Sequence, residues 1–353
     1  MNQTGSVKKI IMVAPLNWGL GHATRCIPVI KALIHNNFEP VIASDGDALL
    51  LLQKEFPELR SFELPSYNIR FSRGNKLKYK LFLNIPRFLI TARKEREVTE
   101  EIISKENISG IISDNRFGVR SSKVPSVYMT HQLNVLSGNT TSITSKFHQR
   151  IISKFDECWV PDNIDQPKYS GDLSNTAKEN LKVKFIGILS RFHKGQGNKK
   201  QDILIVLSGP EPQRSILEKK LLVQLKETNK KVLLVRGVVT DNKEPSVNEN
   251  LKVVNYMLTA QLQEAFTESD VILSRSGYST IMDLVRLEKK AFFIPTPGQF
   301  EQEYLANRMK ELKMAPYADQ DDFELSMLDE VENYRGFKKT GNAVLNPALF
   351  DLF

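Results

Sequence analysis

Short, continuously apolar runs alternate along the chain with segments whose apolar residues recur every three or four positions. Residues 9–14 (KIIMVA) form such a run, and in 23–35 the residues Ile27, Ile30, Leu33 and Ile34 mark one helical face. Residues 40–44 then read as a strand and 47–55 as a helix, with later strands at 108–113, 126–129 and 157–160. Strands that are apolar throughout, alternating with helices, predict a parallel sheet covered on both faces. After a polar, glycine-containing stretch at 193–200 (HKGQGNKK) the pattern restarts. It gives strands at 202–207, 231–236, 251–254, 271–274 and 291–294, and helices at 214–228, 262–268, 279–287 and 301–312. The expected fold class is therefore α/β: two Rossmann-like, doubly wound parallel-sheet domains facing across a cleft. Residues 1–190 and 201–334 are the two domains and 191–200 the linker, a division that suits 353 residues. In open parallel sheets ligands bind outside the carboxyl ends of the strands, which directs attention to the loops there.

The first such loop is 17–25 (NWGLGHATR). Its glycines allow a sharp turn and close approach to a ligand, and a helix start follows. A full Gly-x-Gly-x-x-Gly is not reached, because Thr24 takes the last position. His22 is a candidate general base, since imidazole titrates near neutral pH; helix capping is the alternative. Asp45, just past the second strand, occupies a position suited to a ribose-binding acid. The second loop is 207–214 (LSGPEPQR), and the third spans 274–283 (SRSGYSTIMD) and 295–307 (PTPGQFEQEYLAN). Ser276 and Gly277 at a helix start can offer backbone N–H groups to a phosphate. Asp283, two turns further, can accept from ribose hydroxyls. Glu301 and Gln302 open the next helix and can meet sugar hydroxyls, although a first-turn acid also suits the helix dipole. Asp114 and His131 follow the strands at 108–113 and 126–129 and are expected to face the same cleft, as acceptor contacts or as loop caps, with Asp114 an alternative base.

Composition narrows the setting. With 41% hydrophobic and 25% charged residues the chain is not a disordered one. Two cysteines, Cys26 and Cys158, exclude a disulfide scaffold and a Cys-rich zinc site, and fit a reducing cytosol. No apolar run reaches the roughly 20 residues a membrane helix needs. The net charge of +8 favours an anionic partner, and it is local. Residues 66–96 hold nine basic residues (Arg70, Arg73, Lys76, Lys78, Lys80, Arg87, Arg93, Lys94 and Arg96) and one acid, Glu95, interleaved with large apolar side chains. This composition suits an anionic lipid surface; a helix with its apolar side on the core and its lysines in solvent is the alternative. No nucleic-acid module is present, so nucleic acid is not an expected partner.

In its first and third loops the chain resembles the metal-independent GT-B glycosyltransferases. Within them it is most similar to the branch with the lipid-linked N-acetylglucosaminyltransferase of peptidoglycan synthesis and the diacylglycerol glycosyltransferases. The likeness spans nearly the whole chain: a GxGH loop, then an SRSG…D…P…EQ…AN block about 255 residues later. The resemblance implies a nucleotide-sugar held by the C-terminal domain and an acceptor held by the N-terminal one. It places Gly19, Gly21 and His22 on the acceptor side, with His22 as base on the acceptor hydroxyl or as the group that orients it; beside the resemblance, Arg25 and His131 are acceptor-side candidates and Asp114 the alternative base. It places Gly209, Ser276, Gly277 and Tyr278 around the diphosphate and Asp283 at the ribose. Tyr256 and Met257 fall at the nucleobase, and Glu301 and Gln302 at the donor sugar. Arg214 and Arg275 are the candidate cations for the leaving diphosphate. Residues 335–353 are expected to return to the N-terminal domain.

Two departures stand out. Pro210 and Pro212 remove N–H donors from a loop that is glycine-rich in the relatives, and Asp283 is shorter than their usual glutamate. The expected activity is metal-independent, inverting transfer of a hexose or N-acetylhexosamine. The donor is a nucleotide-sugar, by the resemblance a UDP-sugar, and the acceptor a glycan or lipid-linked molecule. The nucleotide-sugar is a co-substrate; no cofactor and no metal are expected, and the five histidines show no metal-ligand spacing. A UDP-sugar 2-epimerase of the same fold and a non-catalytic sugar-nucleotide-binding protein are the alternatives. The expected location is cytoplasmic, peripheral to the inner face of the membrane through residues 66–96.

Overall fold

The structure, a computed structural model, describes residues 8–67, 85–175, 181–209, 211–240, 249–338 and 345–353. Its first sheet contains β1 (Ile10–Pro15), β2 (Glu39–Ser44), β3 (Ser61–Glu63), β4 (Ile108–Asp114), β5 (Ser126–Met129), β6 (Glu157–Val160) and β7 (Val183–Phe185). The strands are all parallel, in the order β3-β2-β1-β4-β5-β6-β7. Helices α1 (Leu20–His35), α2 (Gly46–Glu55), α3 (Ile85–Glu106) and α4 (Thr141–Ile152) accompany them. The second sheet, also parallel, contains β8 (Gln201–Val206), β9 (Val232–Val235), β10 (Leu251–Val254), β11 (Ser269–Ser274) and β12 (Lys290–Phe293), in the order β10-β9-β8-β11-β12. Its helices are α5 (Gln213–Gln224), α6 (Thr259–Thr267), α7 (Tyr278–Leu287) and α8 (Phe300–Glu311).

Both faces of each sheet are buried. Ile11, Val13, Ile42 and Ile112 point into one core layer, and Met12, Ala14, Val41 and Ile111 into the other. In the second sheet Leu204, Leu233 and Phe293 alternate in the same way with Ile203, Leu234 and Phe292. That double burial is why the strands read as unbroken apolar runs. The structure also contains β3, β7 and α4, which carry no such pattern: β3 and β7 are three residues long and incompletely buried.

Of the boundaries that differ from the sequence expectation, two matter to the site. Helix α1 begins at Leu20 rather than residue 23, because Gly19 at φ 76° makes the turn alone. Gly21 and His22 therefore lie in the first helical turn. Strand β4 runs through Asp114, which pairs in register with Pro15 at the end of β1. The two sheets each reverse direction about their first strand, β1 against β4 and β8 against β11, so each presents a switch point at its carboxyl edge.

The two halves interlock. Tyr169, Leu173, Ile188 and Phe192, after β6, pack in the core of the second sheet. Leu345, Leu349, Phe350 and Phe353 pack in the core of the first. There a 3-10 helix, Pro347–Leu352, sets Phe353 beside Trp159, and Lys9 Nζ donates to the Phe353 carbonyl at 2.6 Å. A side chain at Gly110 would collide with the Phe353 ring.

Candidate active site

Four side chains from the carboxyl edge of the first sheet meet at one point. Asp114, wholly buried, accepts from Arg25 Nε at 2.6 Å, and its other oxygen takes a second, shorter bond from Arg25 Nη2. His22 Nδ1 lies 3.0 Å from that second oxygen and 2.9 Å from Nη2. Arg25 Nη1 reaches His131 Nδ1 at 3.0 Å. Helical spacing brings His22 and Arg25 to one side of α1, and the β1–β4 register brings Asp114 beneath them. Burial works to raise the Asp114 carboxyl, but Arg25 and His22 hold it well below the usual carboxylate range. Burial lowers His22 below its ordinary 6.5, so the imidazole is uncharged at neutral pH. About 15% of the His22 side chain remains open to solvent, where a substrate can reach it.

The second domain closes on this cluster. Ser279 Oγ donates to the Gly21 carbonyl at 2.9 Å, and a Cβ on Gly21 would stand only 3.3 Å from Ser279 Oγ. The first turns of α1 and α7 thus face each other. The Tyr278 ring stacks on His131 at 4.1 Å, nearly parallel to it, and its hydroxyl donates to the Pro161 carbonyl at 2.7 Å. His131 Nε2 lies 2.7 Å from Glu301 Oε1, and Gln132 Nε2 donates to Oε2 of the same carboxylate. Burial pushes Glu301 up, but His131 outweighs it and holds the carboxyl below its ordinary range.

On the donor side the expected residues are placed differently. Arg275, 1% exposed, donates to the carbonyls of Ile294, Pro295 and Gln213 and to Gln320 Oε1 at 2.6–3.0 Å. Arg214 is bound by Glu211 and Glu218. The hydrogen bonds of Arg275 go to loop carbonyls and Gln320 and those of Arg214 chiefly to carboxylates, while Arg275 Nε has no partner among the described residues. Ser276 Oγ is taken by the Gln302 carbonyl at 2.7 Å, and the Gln302 amide accepts from Thr296 N and donates to Gln299. The Tyr278 ring is taken up by its stack on His131. Asp283 accepts from Ser190 Oγ at 2.6 Å in the hinge between the sheets, where burial pushes its carboxyl up to about 6 against the pull of Arg191. What remains open is backbone: Gly209 at φ 100°, and Gly277 capping α7. Tyr256 and Met257 follow β10, with Lys54 of α2 5.3 Å over the Tyr256 ring. Asp45 accepts from Arg116 Nη1 at 2.7 Å. Among the described residues no group of three or more His, Cys, Asp or Glu is arranged to hold a metal ion.

The comparisons with known proteins agree with this architecture. MurG from Acinetobacter baumannii is 16% identical over 94% of this chain and 96% of its own, with a TM-score of 0.53. The glycosyltransferase SnogD from Streptomyces nogalater is 12% identical over 92% and 90%, at 0.59. The spinosyn rhamnosyltransferase SpnG, complexed with thymidine diphosphate, is 12% identical over 93% and 90%, at 0.57. At these identities the likeness establishes the fold, GT-B. No curated protein matches the chain in sequence. Residues 204–339 match the model of the glycosyltransferase family 28 C-terminal domain. The chain is a GT-B glycosyltransferase related to family 28.

Three residues of this glycosyltransferase escape the sequence reading. Gln132 binds Glu301 beside His131. Glu55, at the end of α2, accepts from both the backbone N and the hydroxyl of Thr259 at 2.6 Å, and so caps α6 of the other domain. Arg191 is 7% exposed, with Nε and Nη1 lacking hydrogen-bond partners among the described residues; Glu55 is 3.9 Å away. Each signal is a lone polar residue just outside a motif, which no spacing rule marks.

The basic segment is described only from residue 85. Arg70, Arg73, Lys76, Lys78 and Lys80 lie outside the described residues. In α3, Thr91, Glu95 and Thr99 face inward, and Glu95 accepts from Arg116 and Gly118 N. Leu89 and Ile90 are more than half exposed, beside exposed Arg87, Arg93 and Lys94. Among the described residues no helix is long and apolar enough to cross a membrane.

Proposed function

We propose that the enzyme transfers a hexose or N-acetylhexosamine, with inversion and without a metal or other cofactor, from a nucleotide-sugar to a lipid-linked or glycan acceptor. The observation that carries this reading is His22 at the mouth of the cleft, backed by buried Asp114 and facing the first turn of α7 across the domain boundary. With its Nδ1 proton donated to Asp114, His22 presents the Nε2 lone pair to an acceptor hydroxyl. It takes that proton as the acceptor oxygen bonds to the anomeric carbon. The bond from that carbon to the diphosphate breaks on the opposite face, and the nucleoside diphosphate leaves. Charge on the leaving group is met by backbone N–H groups at Gly209 and Gly277, with Arg191, whose Nε and Nη1 lack hydrogen-bond partners among the described residues, as an accompanying cation. The family-28 match over the donor domain supports a nucleotide-sugar, and the resemblance of the loops favours UDP over other nucleotides.

The outer face of α3 supports a lipid-linked acceptor at an anionic membrane, since it sets exposed Leu89 and Ile90 among Arg87, Arg93 and Lys94. Transfer from radiolabelled UDP- and TDP-sugars to a lipid extract tests the reading. One donor should support transfer, with the product linkage inverted by NMR, and binding to anionic vesicles should weaken with salt. Absence of both transfer and slow donor hydrolysis with every donor would exclude it. Conversion of UDP-N-acetylglucosamine to its 2-epimer without acceptor would replace it by an epimerase.

A further inference from the structure

Arg25 carries only N–H donors, so an atom bonded to it that has no other polar partner must accept; His22 Nδ1, 2.9 Å from Nη2, differs in having the Asp114 carboxylate at 3.0 Å to donate to. Arg25 Nη1 stands 3.0 Å from His131 Nδ1, which must therefore present a lone pair. The His131 proton is then on Nε2, the atom 2.7 Å from Glu301 Oε1. The other edge of the same guanidinium binds both oxygens of Asp114, leaving a carboxylate in front of His22 Nδ1. The titratable groups around the guanidinium are His22 and Cys26 from α1, Asp114 from β4, His131 from the loop after β5 and Glu301 from α8. Only 3% of Arg25 is exposed, so water does not compete for these bonds.

We propose that Arg25 is a positioning residue that locks His131 as the Nε2–H tautomer, making it a fixed hydrogen-bond donor towards the second domain. The two cleft histidines are thereby divided in role. His22 lends a lone pair to the acceptor side, and His131 lends a proton to the donor side, where Glu301 receives it. The stacked Tyr278 ring keeps the imidazole from rotating out of this line. When a donor sugar fills the cleft, the same proton serves a sugar oxygen or holds Glu301 against the sugar; this use rests on the proposed transferase reading, whereas the tautomer does not.

The test is long-range proton–nitrogen NMR on the full-length protein labelled with 15N-histidine, with His131 assigned by His131→Gln. In the unsubstituted protein at neutral pH, His131 should show an unprotonated Nδ1 and a protonated Nε2. Arg25→Gln, whose amide can accept as well as donate, should scramble the two forms, and Arg25→Lys, which again can only donate, should recover the first pattern. A proton on Nδ1 in the unsubstituted protein overturns the proposal, even if Arg25→Gln fails to fold. An unchanged His131 pattern in a folded Arg25→Gln, judged by circular dichroism, overturns it as well. No sugar nucleotide enters this measurement, so loss of the transferase reading would leave its outcome standing.

Discussion

The two sides of the cleft use the same kinds of residue in opposite ways. At the carboxyl edge of the first sheet, His22, Arg25, Asp114 and His131 bond to one another and form one buried polar cluster. At the same edge of the second sheet, Arg214, Arg275, Gln302 and Asp283 bond outward to loops and hinge and hold the architecture. Under the proposed function the difference follows from what each side would recognise. Deprotonating a hydroxyl needs a titratable side chain, whereas a diphosphate can be held by backbone N–H groups at a helix start. Polar side chains on the donor side are then free to fix the loops that aim those groups.

The largest expected effect tests the first half of that contrast. His22→Ala should lower kcat by roughly 10²- to 10⁴-fold, the usual contribution of a general base, with the thermal midpoint and the donor KM little changed. In the unsubstituted enzyme the acid limb of kcat/KM should fall below pH 6.5, because burial lowers His22. A His22→Ala variant with near-normal kcat would move the chemistry elsewhere in the cleft.

Arg275→Leu tests the second half. It strands three carbonyls and the Gln320 amide in the interior, a loss of about 3 kcal/mol or more, visible as a lower thermal midpoint. The contrast would break if Arg275→Leu melted normally yet lost nucleotide binding, for the guanidinium would then be a ligand and not a brace.

The fold was legible because double burial makes every long strand an unbroken apolar run, and His22, Asp114 and His131 were legible because each follows or ends such a strand. What sequence reading could not reach was direction. Arg275 lies in the most specific motif of the chain, but the carbonyls it binds at residues 213, 294 and 295 come together only through the β8–β11–β12 pairing. Arg25 was legible as an acceptor-side candidate but not as the centre of the cluster; that role depends on a register that sets Asp114 against Pro15, and registers are not written in local pattern. Glu55 and Arg191 act between domains, where no periodicity reports.

Glu301→Gln probes the seam between the two sides. The amide keeps one acceptor for His131 but turns an N–H towards the Gln132 amide, which also donates. A roughly tenfold fall in kcat/KM for the preferred donor is expected, with weaker discrimination among sugars. Equal losses for all nucleotide-sugars, with discrimination intact, would assign Glu301 to domain closure alone.

The smallest effect is the sharpest in sign. Asp283 titrates near 6 in the folded protein, pushed up by burial from an ordinary 3.8. Between those values the unfolded chain has released its proton and the native state still holds it, so rising pH favours unfolding through this residue. Asp283→Asn has no such proton to lose. The thermal midpoint of the variant, measured against the unsubstituted enzyme, should therefore climb steadily as pH rises from about 4 to 7, whatever its offset from losing the Ser190 and Arg191 contacts. A difference that stays flat or falls over this range would mean that Asp283 is ionised in the hinge, open to water and to a ribose, and the donor side would then hold a reactive carboxylate of its own.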